Sequence, residues 1–290
     1  MKPSWTVASA DGCELAGYEL GGRGDEVLLV AHATGLCGAM YQLLADELTD
    51  TFRVVAFDFR GHGDSTRSGE ADPHIDLGWD RMAEDVIAVA RHVGGERLHG
   101  FGHSMGGGAL LLAERASPGS FESFFLFEPI TFPDDVPTDG QNVMGDAARR
   151  RRPVFASRAE VLARYAGRPP FNQVRAGFLA AYVENGFAEQ PDGSVRLKCA
   201  PEVEATVFEN GRAAKLSAVR HVATPTVVAV GHDEEGPNPA RLGPPLADAL
   251  VNGQLVRYDH IGHFGPLQDP WTIARDLKLH VGSLERRAVS

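Results

Sequence analysis

From Val27 onward, short uninterrupted apolar runs alternate with longer stretches of helical period, and few folds accommodate that pattern. A run of four or five apolar residues with no polar break cannot belong to a sheet with one wet face. It needs cover on both sides, which βαβ units supply by laying crossover helices over a parallel sheet. Residues 27–31 (VLLVA), 54–57 (VVAF), 98–101, 124–127 (FFLF) and 226–230 (TVVAV) are expected strands, with 255–258 the last. Helical patterns at 39–48, 78–93, 107–116, 246–251 and 272–280 supply the cover. Ahead of Val27, the pair Asp11-Gly12 is expected to turn an antiparallel hairpin at one edge. The expected fold class is α/β, a mostly parallel central sheet flanked by helices.

The alternation breaks between residues 131 and 220. A Pro/Asp-rich segment (FPDDVPTDG) opens the interval, helical patterns follow at 160–165 and 174–184, Pro191-Asp192-Gly193 marks a turn, and a helix is expected over 201–208. With 290 residues the chain has room for one core plus an inserted lobe, so the expected division is a core of 1–130 and 221–290 and a mostly helical cap of 131–220. Inside the cap, Arg149 to Arg152 precede Pro153. Such a run is ordinarily a solvated helix end; the sharper reading is a binding edge for an anionic substrate.

Hydrophobic residues make up 43% and charged residues 23% of the chain, the balance of a soluble globular protein. The formal net charge of -11 repels phosphate backbones and anionic lipid surfaces, so neither nucleic acid nor membrane is an expected partner. The first twenty residues carry Asp11, Glu14 and Glu19 and lack a basic segment followed by an apolar one, so no secretion signal is expected. Cys13, Cys37 and Cys199 have neither metal-ligand spacing nor a disulfide framework, which makes the cytoplasm the expected compartment and Cys37 a buried small hydrophobe.

The most specific motif is Gly102-His103-Ser104-Met105-Gly106, set where an expected strand ends and a small-residue helix (GGALLLA) begins. A G-x-S-x-G string in that context is a nucleophile elbow, a turn so tight that residues two positions either side of the serine must lack a Cβ. A serine hydroxyl needs a base, usually a histidine held by a carboxylate. His263, in Asp259-His260-Ile261-Gly262-His263-Phe264-Gly265, follows the last expected strand and so falls on the same carboxyl edge of the sheet as Ser104; His260 is its competitor. His103 and His32 read as structural or pocket-lining. An oxyanion hole needs two backbone N–H groups, and Met105, next after the nucleophile, should supply one.

The elbow, the segment His32-Ala33-Thr34-Gly35-Leu36, the segment Asp58-Phe59-Arg60-Gly61-His62-Gly63-Asp64-Ser65 and the late Gly262-His263-Phe264 together resemble the α/β-hydrolase superfamily, particularly its capped esterase and haloperoxidase-like branches. The resemblance spans nearly the whole chain apart from the cap. It implies that the His32 segment corresponds to a His-Gly-x loop, with Ala33 in place of glycine and the Thr34 N–H as second oxyanion donor. It favours His263 over His260 through the Gly-His-Phe context. It also implies that Asp58, His62 and Asp64 belong to a structural loop without chemistry. The likeness to epoxide hydrolases and haloalkane dehalogenases stops at the nucleophile, since both use aspartate where Ser104 stands.

The acid is left between two loops. After residues 226–230, the family pattern G-x-x-D-x-x-x-P is met imperfectly: Asp233 has the right distance to Pro237 but lies one residue too near Gly231, and Glu234 has the reverse fault. Glu128 directly follows an apolar strand and precedes Pro129; a carboxylate there is costly to desolvate without a partner such as the His263 imidazole. Haloalkane dehalogenases with the acid after this strand have a segment similar to Phe127-Glu128-Pro129-Ile130. Glu128 is placed first, Asp233 second and Glu234 third.

The expected activity is serine hydrolysis of a small or medium ester-like carbonyl compound (carboxylic ester first, then lactone or thioester), through an acyl-enzyme and with no metal or organic cofactor. The alternatives are a non-hydrolytic use of the same residues, as in an acyltransferase, lyase or perhydrolase, and a silent ligand-binding member of the fold. The expected partner is a small-molecule substrate, with a homodimer left open.

Overall fold

The computed structural model describes residues 1–65, 75–233 and 238–288. Eight strands form one sheet in the order β1-β2-β4-β3-β5-β6-β10-β11. The hairpin β1 (Trp5–Ala8) and β2 (Glu14–Gly21) is antiparallel and turns at Asp11-Gly12, and β2 runs antiparallel to β4 (Arg53–Phe57). All other neighbours pair in parallel: β3 (Glu26–Ala31) with β4 and β5 (Arg97–His103), β5 with β6 (Ser123–Phe127), β6 with β10 (Thr226–Val230), and β10 with β11 (Gly253–Arg257).

Strand geometry sends successive side chains to opposite faces, and here both faces are apolar. Val27, Leu29, Ala31, Val55, Phe57, Phe124 and Leu126 belong to one core cluster, shared with α2 (Trp79–Val93), α3 (Met105–Ala116) and α9 (Gly243–Ala249). Leu28, Val30, Val54, Ala56, Phe125 and Phe127 belong to the other, shared with α1 (Gln42–Asp46), α10 (Gly265–Gln268) and α11 (Pro270–Ala288). Full burial of each Val, Leu or Phe contributes about 1.5–3 kcal/mol, which is why the strands read as unbroken apolar runs.

Between β6 and β10 the chain makes a long excursion that adds no strand to this sheet. It holds α4 (Val143–Arg149), α5 (Arg158–Ala166), α6 (Ala176–Asn185), α7 (Pro201–Asn210) and α8 (Leu216–Val219), the helices that the sequence led one to expect, with α4 and α8 in addition. It also holds a small antiparallel sheet, β7 (Val154–Phe155), β9 (Val195–Leu197) and β8 (Phe187–Glu189) in that order. Strands of two or three residues carry no readable period, and only the Pro191-Asp192-Gly193 turn joining β8 to β9 was legible. The excursion is tied down where Trp79 donates its indole N–H to the Val207 carbonyl at 3.0 Å.

Element bounds moved where local chemistry intervened. The helix expected at 39–48 is a tight turn over Gly38–Tyr41 followed by the short α1; a Cβ on Gly38 would stand 2.7 Å from the Phe57 carbonyl oxygen, so the chain enters against the end of β4. α9 starts three residues before its expected first residue because Pro244 and Pro245 suit a first helical turn. The last strand, β11, begins two residues and ends one residue earlier than expected, and α11 extends eight residues beyond its expected end. No helix among the described residues is long and apolar enough to cross a membrane.

Candidate active site

The carboxyl edge of a parallel sheet is where open α/β folds gather functional groups, because strand ends and helix starts meet there. Ser104 sits at the junction of β5 and α3 with φ 56° and ψ -117°. A Cβ on Gly102 would lie 2.5 Å from the Gly107 Cα, and one on Gly106 would lie 2.1 Å from the Ala31 carbonyl oxygen. The two glycines of the motif thus permit the strand-to-helix reversal and let α3 start against the end of β3. Ser104 is held from below by its own N–H donating to the Phe127 carbonyl at 2.9 Å.

Among the described residues only two non-glycine positions have positive φ, Ser104 at 56° and Glu128 at 45°. Such backbone costs on the order of 1–3 kcal/mol and persists where the surroundings over-determine it. Glu128 follows β6 directly and is fully buried. Its Oε1 accepts from the Gly231 N–H at 2.8 Å, and its Oε2 lies 2.6 Å from Nδ1 of His263. The expected pairing of these two side chains is therefore present, and the desolvated carboxylate has both oxygens engaged. The His263 side chain keeps 24% exposure.

Asp233 and His260 are bonded elsewhere. Asp233 is 64% exposed and takes hydrogen bonds from Asn238 and Arg241. Glu234 lies outside the described residues. His260 is 58% exposed and bonds Asp269 at the start of α11.

Thr34 and Gly35 form a turn closed by the Leu36 N–H on the Ala33 carbonyl at 3.1 Å, with Gly35 at φ 75° supplying the conformation that a side chain would resist. Met105 is the first residue of α3, so its N–H belongs to the unsatisfied, positively polarised helix start. Below this turn, His32 accepts the Phe59 N–H on Nε2 at 3.0 Å and gives its Nδ1–H to the Ala33 carbonyl at 2.8 Å. Burial and the neighbouring His62 hold the His32 imidazole well below the usual histidine range. In the segment that begins at Asp58, the buried Asp58 carboxylate takes the Gly38 N–H at 2.7 Å and the Tyr18 hydroxyl at 2.6 Å, and burial raises its pKa to about 6. Cys37 is buried, as its small size allowed.

Two features were missed in the sequence. His103, expected to be structural or pocket-lining, is fully buried, but its hydrogen bond at 2.7 Å to the equally buried Tyr41 had no signal in the sequence. An aromatic chain also runs from the excursion to His263. Tyr165 packs on Phe171 at 4.9 Å between ring centroids, Phe171 on Tyr182 at 4.7 Å and on Phe264 at 6.0 Å, and Phe264 stands 5.6 Å from the His263 ring. These aromatics belong to separate helices and loops, and no local period links them. Three arginines of the Arg149–Arg152 run are engaged within the excursion: Arg149 pairs with Glu202 and Glu209, Arg152 with Glu160, and Arg151 with Glu204 and the hydroxyls of Tyr165 and Tyr182.

A strained serine at a strand-to-helix elbow and a buried Glu-His pair on the same edge of a doubly covered parallel sheet define the α/β-hydrolase class. The alpha/beta hydrolase family profile matches residues 27–276, and the chain belongs to that family. It is 36% identical over 106 residues to the putative carbamate hydrolase RutD of Caulobacter vibrioides, a match covering 36% of this chain and 37% of that protein. Over 289 residues it is 24% identical to the bifunctional esterase/perhydrolase DCH of Acinetobacter calcoaceticus, covering 96% of this chain and 99% of the other. Among solved structures, the peroxisomal α/β-hydrolase Lpx1 of Saccharomyces cerevisiae superposes with a TM-score of 0.78 at 19% identity, over 99% of this chain and 88% of that one.

Proposed function

We propose that the protein is a serine hydrolase that cleaves an ester-like bond in a small or medium carbonyl substrate through an acyl-enzyme. The observation that carries this reading is the 2.6 Å contact between Glu128 Oε2 and His263 Nδ1, on the same sheet edge as the strained Ser104. A carboxylate on Nδ1 fixes the imidazole tautomer so that Nε2 is the basic nitrogen. In the proposed sequence His263 takes the proton of Ser104 as its Oγ attacks the carbonyl carbon. The N–H groups of Met105 and Thr34 hold the negative oxygen, each worth about 2.7–4 kcal/mol to the transition state. His263 then returns the proton to the leaving group, and water, activated by the same imidazole, releases the acid.

Residues 131–220 are assigned as a cap over this edge, supported by the aromatic chain from Tyr165 and Tyr182 through Phe171 to Phe264. Such walls favour a substrate with an apolar acyl or alcohol part. The names of two relatives, a carbamate hydrolase and an esterase/perhydrolase, support chemistry at a carbonyl flanked by oxygen. The second of these recommends hydrogen peroxide as an alternative acceptor in the same assay.

The test is hydrolysis of p-nitrophenyl esters of increasing acyl length by the wild type, Ser104→Ala and His263→Ala. Each variant should lose roughly 10⁴- to 10⁶-fold in kcat. A wild type inert on every ester, or a Ser104→Ala protein that keeps its rate, overturns the reading.

A further inference from the structure

A line of hydrogen bonds crosses beneath the site and touches none of the proposed reacting groups. The Ala33 N–H meets the Tyr41 hydroxyl at 3.3 Å, that hydroxyl meets Nδ1 of His103 at 2.7 Å, and Nε2 of His103 meets the backbone carbonyl of His263 at 2.8 Å. Tyr41 and His103 are fully buried. The two ends of the line fix its proton order. An amide N–H can only donate and a carbonyl can only accept, so Tyr41 must accept from Ala33 and donate to Nδ1, and His103 must carry its proton on Nε2. No second arrangement satisfies every member. Burial, with His263 nearby, lowers the His103 pKa to about 3, so the ring is neutral near pH 7 and the order holds there.

The three loops joined in this way each supply one part of the proposed machinery. Ala33 precedes the oxyanion donor Thr34, His103 is the immediate neighbour of Ser104 within the elbow, and the carbonyl at the far end belongs to the base itself. Glu128 orients the His263 ring from Nδ1, and the loop's main chain is held at Ile261 by the His232 N–H and at Gly262 by the Gln268 side chain, each at 2.9 Å, but none of these bonds reaches the elbow. The His103 bond fixes that main chain against the nucleophile's own neighbour. The geometry points to Tyr41 and His103 as positioning residues that set the His263 loop relative to Ser104 and the oxyanion turn. This inference rests on the serine-hydrolase reading.

Steady-state hydrolysis of p-nitrophenyl acetate, with rates normalised to sites titrated by a fluorophosphonate, tests it on the full chain. The titration counts folded sites, so unfolded material drops out. Tyr41→Phe keeps the ring and removes one hydroxyl; His103→Leu removes both ring nitrogens; His103→Gln keeps an N–H donor for the His263 carbonyl. A base displaced by a fraction of an ångström should lower kcat by about 10-fold in Tyr41→Phe and on the order of 10²-fold in His103→Leu, with KM within about 2-fold. His103→Gln should recover a large part of the His103→Leu loss. Adding Tyr41→Phe to His103→Leu should cost less than Tyr41→Phe costs alone, because only the hydroxyl's bond to the Ala33 N–H is then left to lose. Unchanged kcat per site in Tyr41→Phe and His103→Gln, or losses that multiply in the double variant, overturn the relay. If His103→Leu does not fold, Tyr41→Phe and His103→Gln decide alone. A wild type that neither hydrolyses the ester nor takes the phosphonate overturns the hydrolase reading and the relay with it, whereas an active, labelled wild type with indifferent variants overturns the relay alone.

Discussion

Glu128 and Asp233 follow neighbouring strands of one sheet, yet their surroundings differ in every respect that matters to a base. Glu128 is fully buried with both oxygens engaged, one by His263; Asp233 is mostly exposed and bound to Asn238 and Arg241. Exchanging Glu128 for Gln keeps the shape but places an amide where Nδ1–H needs an acceptor. Glu128→Gln is expected to lower kcat by roughly 10³- to 10⁴-fold, and Asp233→Asn to leave it within about 2-fold, by steady-state ester hydrolysis. A second residue-scale expectation concerns acid. His103 stays neutral in the folded state down to about pH 3, whereas the unfolded imidazole protonates below 6.5. The stability that this neutral ring allows is fully present above pH 6.5 and is lost as pH falls toward 3, at up to about 1.4 kcal/mol per pH unit. Urea titrations of the His103→Gln protein between pH 6.5 and 4 should show a slope shallower than the wild type by up to that amount.

The elbow is the element whose local rules are strictest, and its demands were readable from composition alone. Small residues were required around Ser104, and the structure shows what they avoid: backbone of Gly107 on one side and of Ala31 on the other. Because those obstacles are main chain, they cannot turn aside as a flexible side chain can. Gly102→Ala and Gly106→Ala are each expected to cost about 1–3 kcal/mol or more in denaturant unfolding and to abolish ester turnover, since any relief moves α3 and the Met105 N–H with it. The loop carrying His263 is a contrasting case. Its position after the last strand followed from chain order, but its main chain is held by a bond from His103 and by the Gly262 N–H donating to the Gln268 side chain at 2.9 Å. Nothing in the local string specifies either.

At the scale of the whole molecule, two apolar layers on one sheet are extended by the excursion, which contributes Phe155, Phe178 and Tyr182 to one cluster and Val203, Val207 and Val219 to the other. Trp79 is the hinge of that union, nearly buried and bonded to Val207. Trp79→Ala is expected to cost about 3–5 kcal/mol and to speed limited proteolysis within residues 131–220 before the core is cut. The sequence by itself determined the sheet, its covering helices, the edge hairpin, the elbow and the late histidine, because strand burial and tight turns act through residues close together in the chain. It narrowed the acid to three residues and placed Glu128 first among them. Only the tertiary structure brought Glu128 against His263, set Asp233 apart, assembled the small sheet of β7, β8 and β9, and joined Ala33, Tyr41, His103 and His263 in one line. Those contacts span as many as 160 residues, and their energy depends on which groups share a desolvated space, a quantity that no local pattern of side chains encodes.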